Sequence, residues 1–232
     1  MSDAIIKQDF LGIIQDLEQG MADFALNFPL EPFKAGDYKQ HPVITLLTCS
    51  DSRMPVDTFG RIFNRIFSVE NIGNQAKTSA GSLLYGLLHL HTPIMIIAGH
   101  TDCGAIKAAV SDFTNEPEAI RTELTTVKNS LEEIIRATGY QVEDTAQKDA
   151  CLAELNVDMQ IKYLLANEQI ASLVKENQLT IIGVLTDLHN VHGNGFGKTY
   201  TINVNGEHKI EVLREYSHLG SFAHQARRLT KY

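Results

Sequence analysis

The stretch VITLLTCSDSR, residues 43–53, joins a short apolar run to a cysteine, an aspartate and an arginine on alternate positions. The run VITLLT (43–48) is typical of a parallel strand that is covered on both faces. Three later runs repeat this pattern: RIFSV (65–69), IMIIA (94–98) and LTIIGVL (179–185). The four runs predict the core strands of one α/β sheet.

The segments between these runs have the periodicity of helices. The predicted helices cover residues 76–91, 102–110, 117–138 and 148–176. Near the C-terminus, residues 198–213 alternate around Asn205-Gly206, which predicts a hairpin. The sequence therefore predicts a mostly parallel central β-sheet flanked by helices, with a C-terminal hairpin.

The N-terminal segment differs from the rest of the chain. Residues 4–27 place apolar side chains at helical spacing, which predicts an amphipathic helix. Residues 28–42 form a proline-punctuated connector. We therefore predict an N-terminal helical arm and connector over residues 1–42 and a single α/β domain over residues 43–232.

The composition excludes several classes of protein. The 232 residues are 44% hydrophobic and 21% charged, as in ordinary globular proteins. The apolar runs are too short to span a bilayer and the N-terminus lacks the features of a signal peptide, so we expect no membrane partner and a cytoplasmic location with reduced thiols. With a net charge of −8 and no cluster of Lys and Arg, we expect no nucleic-acid partner.

Two of the three cysteines have suggestive neighbours. Cys49 directly follows the first strand, and His100 and Cys103 follow the 94–98 strand in the motif HTDC. Functional side chains of parallel sheets lie at the carboxyl ends of the strands, and two thiolates with an imidazole suit Zn²⁺ with one position left open. The alternative is that these cysteines are small buried residues, as we expect for Cys151.

The motifs CSDSR (49–53) and GHTDCGAIKAA (99–109) resemble the β-class carbonic anhydrases in order, spacing and context. The resemblance extends to ENIGN (70–74) and SLLYGLLHL (82–90). It implies that residues 43–232 form a zinc enzyme, a lyase that reversibly hydrates carbon dioxide to bicarbonate.

The resemblance also implies the roles of individual residues. Cys49, His100 and Cys103 would be the zinc ligands. Asp51 and Arg53 would form a dyad in which the aspartate orients a zinc-bound hydroxide. Hydroxide would be present at neutral pH because zinc lowers the pKa of its bound water to about 7. In some members the same aspartate becomes a fourth ligand in a closed state. The family further implies a homodimer or homotetramer, often with the N-terminal helix laid across the partner.

Two positions depart from the family. Members that lock the closed state with bicarbonate use a tryptophan and an arginine where this chain has Leu46 and Glu70, so we do not expect that form of regulation. Glu70 is either a surface carboxylate or part of an altered pocket. It leaves room for a related substrate, so one alternative is a hydrolase of carbonyl sulfide or carbon disulfide on the same zinc site. A second alternative is a catalytically inactive zinc-stabilised binding protein, against which the intact Asp51 and Arg53 argue. The histidines of HLH (89–91) and HNVHGNGFG (189–197) are not expected to hold a metal.

Overall fold

The computed structural model describes residues 10–232, and its backbone contacts divide the chain between Gln40 and His41. The first unit contains helices α1 (Phe10–Leu26) and α2 (Leu30–Lys34). The predicted helix over 4–27 is therefore present from residue 10 on, while residues 4–9 lie outside the described part. No residue of α1 is buried, and its exposed apolar side chains are Phe10, Leu11, Ile13, Leu17, Met21, Phe24 and Leu26. That residues 1–42 act as an arm stays a prediction.

The second unit, from His41 to Tyr232, is built on a five-stranded sheet. Its strands are β1 (Ile44–Cys49), β2 (Ile66–Asn71), β3 (Ile94–His100), β4 (Thr180–Asp187) and β5 (Lys198–Val204). They lie in the order β2-β1-β3-β4-β5, and only the β4–β5 pair is antiparallel. The predicted α/β fold with a mostly parallel sheet is confirmed.

The remaining helices flank this sheet. They are α3 (Ala80–Leu84), α4 (Gly104–Ala109), α5 (Glu118–Thr138), α6 (Lys148–Leu165), α7 (Glu168–Lys175), α8 (Ile210–Leu213) and α9 (Ser221–His224). A wider π-helical turn, Tyr85–His89, continues α3, and single 3₁₀ turns cover Val56–Phe59 and Ser217–Leu219. The helix predicted over 148–176 is divided at Asn167, whose side chain caps α7 by accepting from two backbone N–H groups. Across residues 10–232, the longest apolar helices fall short of what a membrane crossing requires.

The predicted hairpin over 198–213 is wrong in its second half. Asn205 and Gly206 form the expected tight turn, both with positive φ. However, the turn binds back to β4 through Asn205 Oδ1, which accepts from Ile181 N at 2.7 Å. The chain then forms α8, whose Leu213 packs in a cluster with Val204. The antiparallel pair is instead β4 with β5.

The sheet is covered on both faces, as parallel strands require. One face packs Leu47, Ile97 and Leu185 against α6 in the largest hydrophobic cluster. The other face packs Leu46, Ile96 and Val184 under partly buried side chains that include Phe59 and Leu219. A third cluster joins Cys49 and Cys103 to apolar residues of α5 and α6. The carboxyl edge of the sheet is thereby supported from behind by two long helices.

Candidate metal centre

The ends of two adjacent strands bring the three predicted ligands together. Cys49 is the last residue of β1, His100 is the last residue of β3, and Cys103 directly precedes α4. Because β1 and β3 are parallel neighbours, their carboxyl ends meet at one edge. The two sulfur atoms are 3.9 Å apart, and the ligand atoms of the three buried side chains lie within 4.8 Å of one another.

The ring of His100 is oriented to offer a lone pair to this cluster. Its Nδ1 atom lies 3.0 Å from the carbonyl oxygen of Thr101. A carbonyl can only accept, so Nδ1 carries the proton and Nε2 keeps its lone pair. Within residues 10–232, that buried Nε2 atom has no hydrogen-bond partner. Since buried polar atoms normally have partners, the orphaned nitrogen fits a metal ligand.

The two thiols share one site. The hydrogen bond with Cys103 is the largest cause that lowers the pKa of Cys49, and the backbone N–H groups of Gly73 and Asp51 lower it further. The same hydrogen bond, with burial, raises the pKa of Cys103. One thiolate therefore forms easily, while a second negative charge beside it is disfavoured. A divalent cation would balance both charges, and a donor set of two sulfurs and one imidazole nitrogen fits Zn²⁺.

Asp51 lies beside this cluster and is held by Arg53. Its Oδ1 atom accepts from Arg53 Nε at 2.9 Å and from the Arg53 backbone N–H at 3.0 Å, and its Oδ2 atom accepts from Arg53 Nη2 at 2.8 Å. These hydrogen bonds, a two-pronged charge-assisted pair, hold the pKa of Asp51 well below its usual range. The Asp51 Oδ2 atom is 3.7 Å from His100 Nε2. An ionised carboxylate of fixed orientation thus faces the candidate metal position.

Sequence reasoning missed Asp102, which holds Arg53 from the other side. Arg53 Nη1 donates to Asp102 Oδ2 at 3.0 Å and Arg53 Nη2 donates to the Asp102 carbonyl at 3.1 Å. Lys107 Nζ also contacts Asp102, and His189 Nε2 lies 3.5 Å from Asp102 Oδ2. The available signal was the position of Asp102 between His100 and Cys103 in HTDC.

Three other positions singled out in the sequence are not members of the Cys49-His100-Cys103 group. Glu70 is exposed on β2, opposite Thr48 of β1, and Leu46 is fully buried in the sheet. Cys151, predicted to pack in the core, is only half-buried. It lines a surface depression of about 760 Å³ together with Tyr140, because the start of α6 is at the surface.

Comparisons with known proteins agree with this fold. The carbonic anhydrase family model matches residues 44–194. The carbonic anhydrase of Saccharomyces cerevisiae is 26% identical over 164 residues, which are 65% of this chain and 72% of that protein. Carbonic anhydrase 2 of Mycobacterium tuberculosis is 27% identical over 103 residues, 41% of this chain and only 50% of that protein.

Solved structures show the same architecture. A tetrameric β-carbonic anhydrase from Sordaria macrospora superposes with a TM-score of 0.64 at 23% identity, over 83% of this chain and 95% of that one. A buried Cys-His-Cys group at the carboxyl edge of a parallel sheet forms a candidate metal site on an α/β fold. The chain belongs to the carbonic anhydrase family, and its fold is that of the β-class members. The predicted resemblance and the assignment as an enzyme are confirmed.

Proposed function

We propose that this protein catalyses the reversible hydration of carbon dioxide to bicarbonate, with a zinc ion held by Cys49, His100 and Cys103. The observation that carries the proposal is the Asp51 carboxylate, fixed by Arg53 and 3.7 Å from the free nitrogen of His100. A purely structural zinc site is closed by a fourth ligand and needs no such dyad. When bound, Zn²⁺ would leave its fourth position open and lower the pKa of a water there towards 7.

Asp51 would orient the attacking oxygen. An ionised carboxylate has only acceptor sites, so a water or hydroxide beside it must turn its O–H towards Asp51. Its lone pair then faces away, towards the carbon atom of the substrate. The Arg53 fork prevents the carboxylate from rotating, and this preorganisation lowers the entropic cost of alignment. Arg53 itself stays charged, because its hydrogen bonds to Asp51 and Asp102 raise its pKa further.

Asp51 as a fourth zinc ligand is the competing arrangement. Each of its two oxygens accepts a hydrogen bond from Arg53, and Asp102 holds Arg53 in place through a second ion pair. Movement of Asp51 onto a metal would break at least one prong of this charge-assisted pair. The arrangement of the described residues therefore favours the orienting role.

We further propose that the protein is a cytoplasmic homodimer or homotetramer. The apolar side chains of α1 are exposed in the single chain, and the relative from Sordaria macrospora is tetrameric. All three cysteines are free, which fits a compartment where thiols stay reduced. Sedimentation should give two or four chains per particle, and a monomer at micromolar concentration would refute this assembly.

Metal analysis combined with stopped-flow kinetics tests the activity. We expect one zinc per chain and rapid hydration of carbon dioxide by the purified protein. Bound zinc without hydration would overturn the proposal and leave the inactive binding protein. Turnover of carbonyl sulfide or carbon disulfide without hydration of carbon dioxide would instead support the hydrolase.

A further inference from the structure

Four buried carboxamide side chains form a hydrogen-bonded network behind the metal centre. Asn74, Gln75, Asn156 and Gln160 are each at most 2% exposed. The side chain of Asn156 uses its full bonding capacity. Its Nδ2 atom donates to the Gly73 carbonyl at 2.9 Å and to Asn74 Oδ1 at 3.2 Å. Its Oδ1 atom accepts from Gln75 Nε2 at 2.8 Å and from Gln160 Nε2 at 3.0 Å.

The two glutamines extend this network to neighbouring elements. Gln75 Nε2 also donates to the Gly73 carbonyl at 2.7 Å, and Gln75 Oε1 accepts from Ser130 Oγ of α5 at 2.8 Å. Gln160 Oε1 accepts from the backbone N–H of Ala76 at 2.8 Å. The network therefore ties the loop after β2 to both α5 and α6.

This loop, residues 71–75, is attached to Cys49. Asn71 is the register partner of Cys49 across β1 and β2, and its carbonyl accepts from Ser50 N at 3.0 Å. The Asn71 side chain closes the loop, because its Oδ1 accepts from Gln75 N at 2.6 Å and its Nδ2 donates to the Gln75 carbonyl at 2.8 Å.

The same loop packs against the helix that follows Cys103. Gly73 has a φ of +72°, and a Cβ there would lie 2.8 Å from Val127 Cγ2 and 3.4 Å from the Cβ of Ala105 in α4. Only glycine fits this close approach with that backbone conformation. The loop thus contacts elements that carry both candidate sulfur ligands.

We propose that Asn156 is a positioning residue for the metal centre, which sets the placement of Cys49 relative to Cys103 through the 71–75 loop. The inference rests on the proposed zinc site. An apolar side chain of the same size would fill this part of the core and would need no hydrogen-bond partners. Space filling alone therefore does not account for an asparagine at position 156. Partners of metal ligands that lie outside the coordination sphere usually contribute 10–100-fold to metal affinity, and Asn156 acts on Cys49 through the 71–75 loop.

The test compares Asn156→Leu with a matched control, Asn203→Leu. Asn203 is also 2% exposed and hydrogen-bonded through both ends of its amide, since it donates to Asp158 Oδ1 at 2.6 Å and accepts from Gly206 N at 2.9 Å. The readouts are zinc affinity, by competition with a chromophoric chelator, and the thiolate-to-metal charge-transfer band of the Co²⁺-loaded protein. We expect about 10-fold or greater loss of affinity and a shifted band for Asn156→Leu only. Both variants should lose thermal stability.

Equal losses of affinity in both variants, or unchanged affinity and band in Asn156→Leu, would overturn the positioning role. If Asn156→Leu does not fold, Gln160→Met is the second variant, which removes the hydrogen bonds of Gln160 to Ala76 and Asn156. It should weaken zinc binding about 10-fold relative to the same Asn203→Leu control. Failure of the wild-type protein to bind zinc through Cys49 and Cys103 would refute the proposed function itself. These outcomes are separable because the wild-type affinity is measured first.

Discussion

Replacement of Asp51 by asparagine tests the proposed dyad directly. Asparagine keeps the shape of the side chain but offers one oxygen and one NH₂ group in place of two equivalent oxygens. Arg53 donates to both oxygens of the aspartate, at 2.8 and 2.9 Å. In the variant one of these contacts becomes a donor facing a donor, and the negative charge that compensates Arg53 is lost.

The expected loss of activity follows from these contacts. Removal of one preorganised hydrogen-bonding group from an active site typically costs about 100- to 1,000-fold in turnover, or about 3–4 kcal/mol. We expect a decrease of this order in kcat/KM for hydration of carbon dioxide, measured by stopped flow with a pH indicator. Zinc content should stay at the wild-type level, because Asp51 lies outside the group formed by Cys49, His100 and Cys103.

Asp57→Asn provides the matched control for this experiment. Asp57 is an exposed residue of the 3₁₀ turn Val56–Phe59, on the same segment after β1, and its substitution should leave turnover unchanged. A fully zinc-loaded Asp51→Asn variant with wild-type turnover would remove Asp51 from the mechanism. Loss of zinc in that variant would instead identify Asp51 as a ligand.

Two further substitutions test the ligand set and the pH dependence of stability. Cys103→Ser should lose the metal on dialysis, since it removes one of two thiolates, and retention of full zinc content would contradict the ligand assignment. Burial lowers the pKa of His192 below its usual value of 6.5, so the folded protein disfavours the proton that the unfolded chain binds. Stability should therefore fall as the pH drops below about 6.5, and His192→Gln should reduce this fall in a thermal melting series from about pH 8 to 5. Parallel melting curves for the two proteins would exclude the role of His192.

The three candidate ligands could be predicted because their signal is local. Cys49 and His100 each end a buried apolar run, and the strand-end rule then places both at one edge of the sheet. The contacts of Asp102 could not be predicted in this way. Arg53 and His189 contact Asp102 from the loops after β1 and β4, and no local sequence pattern predicts that these loops lie side by side.

The errors in the predicted fold also arise because contacts between distant parts of the chain leave no local pattern in the sequence. The Asn205-Gly206 signal correctly predicts a tight turn, but a turn does not determine whether a strand or a helix follows. Here β4 already pairs with β5, and burial of Leu213 beside Val204 favours α8. The hydrogen-bonded carboxamide network could not be predicted from the sequence either, since Gln75 and Asn156 are 81 residues apart.

The two sides of the metal centre are held by different chemistry, and electrostatics explains the difference. At the solvent-facing rim, the ion pairs of Arg53 with Asp51 and Asp102 fix the orientation of the dyad where desolvation costs little. On the buried side of the two sulfurs, where Asn156 and Gln75 lie, an unpaired charge would carry a large desolvation cost. A buried carboxylate there would repel the thiolates, and a buried ammonium would compete with a metal cation. Neutral carboxamides such as Asn156 and Gln75 can hold the 71–75 loop through directional bonds without changing the net charge of the site. The position of the ligands and the charge of the metal centre can therefore be set independently.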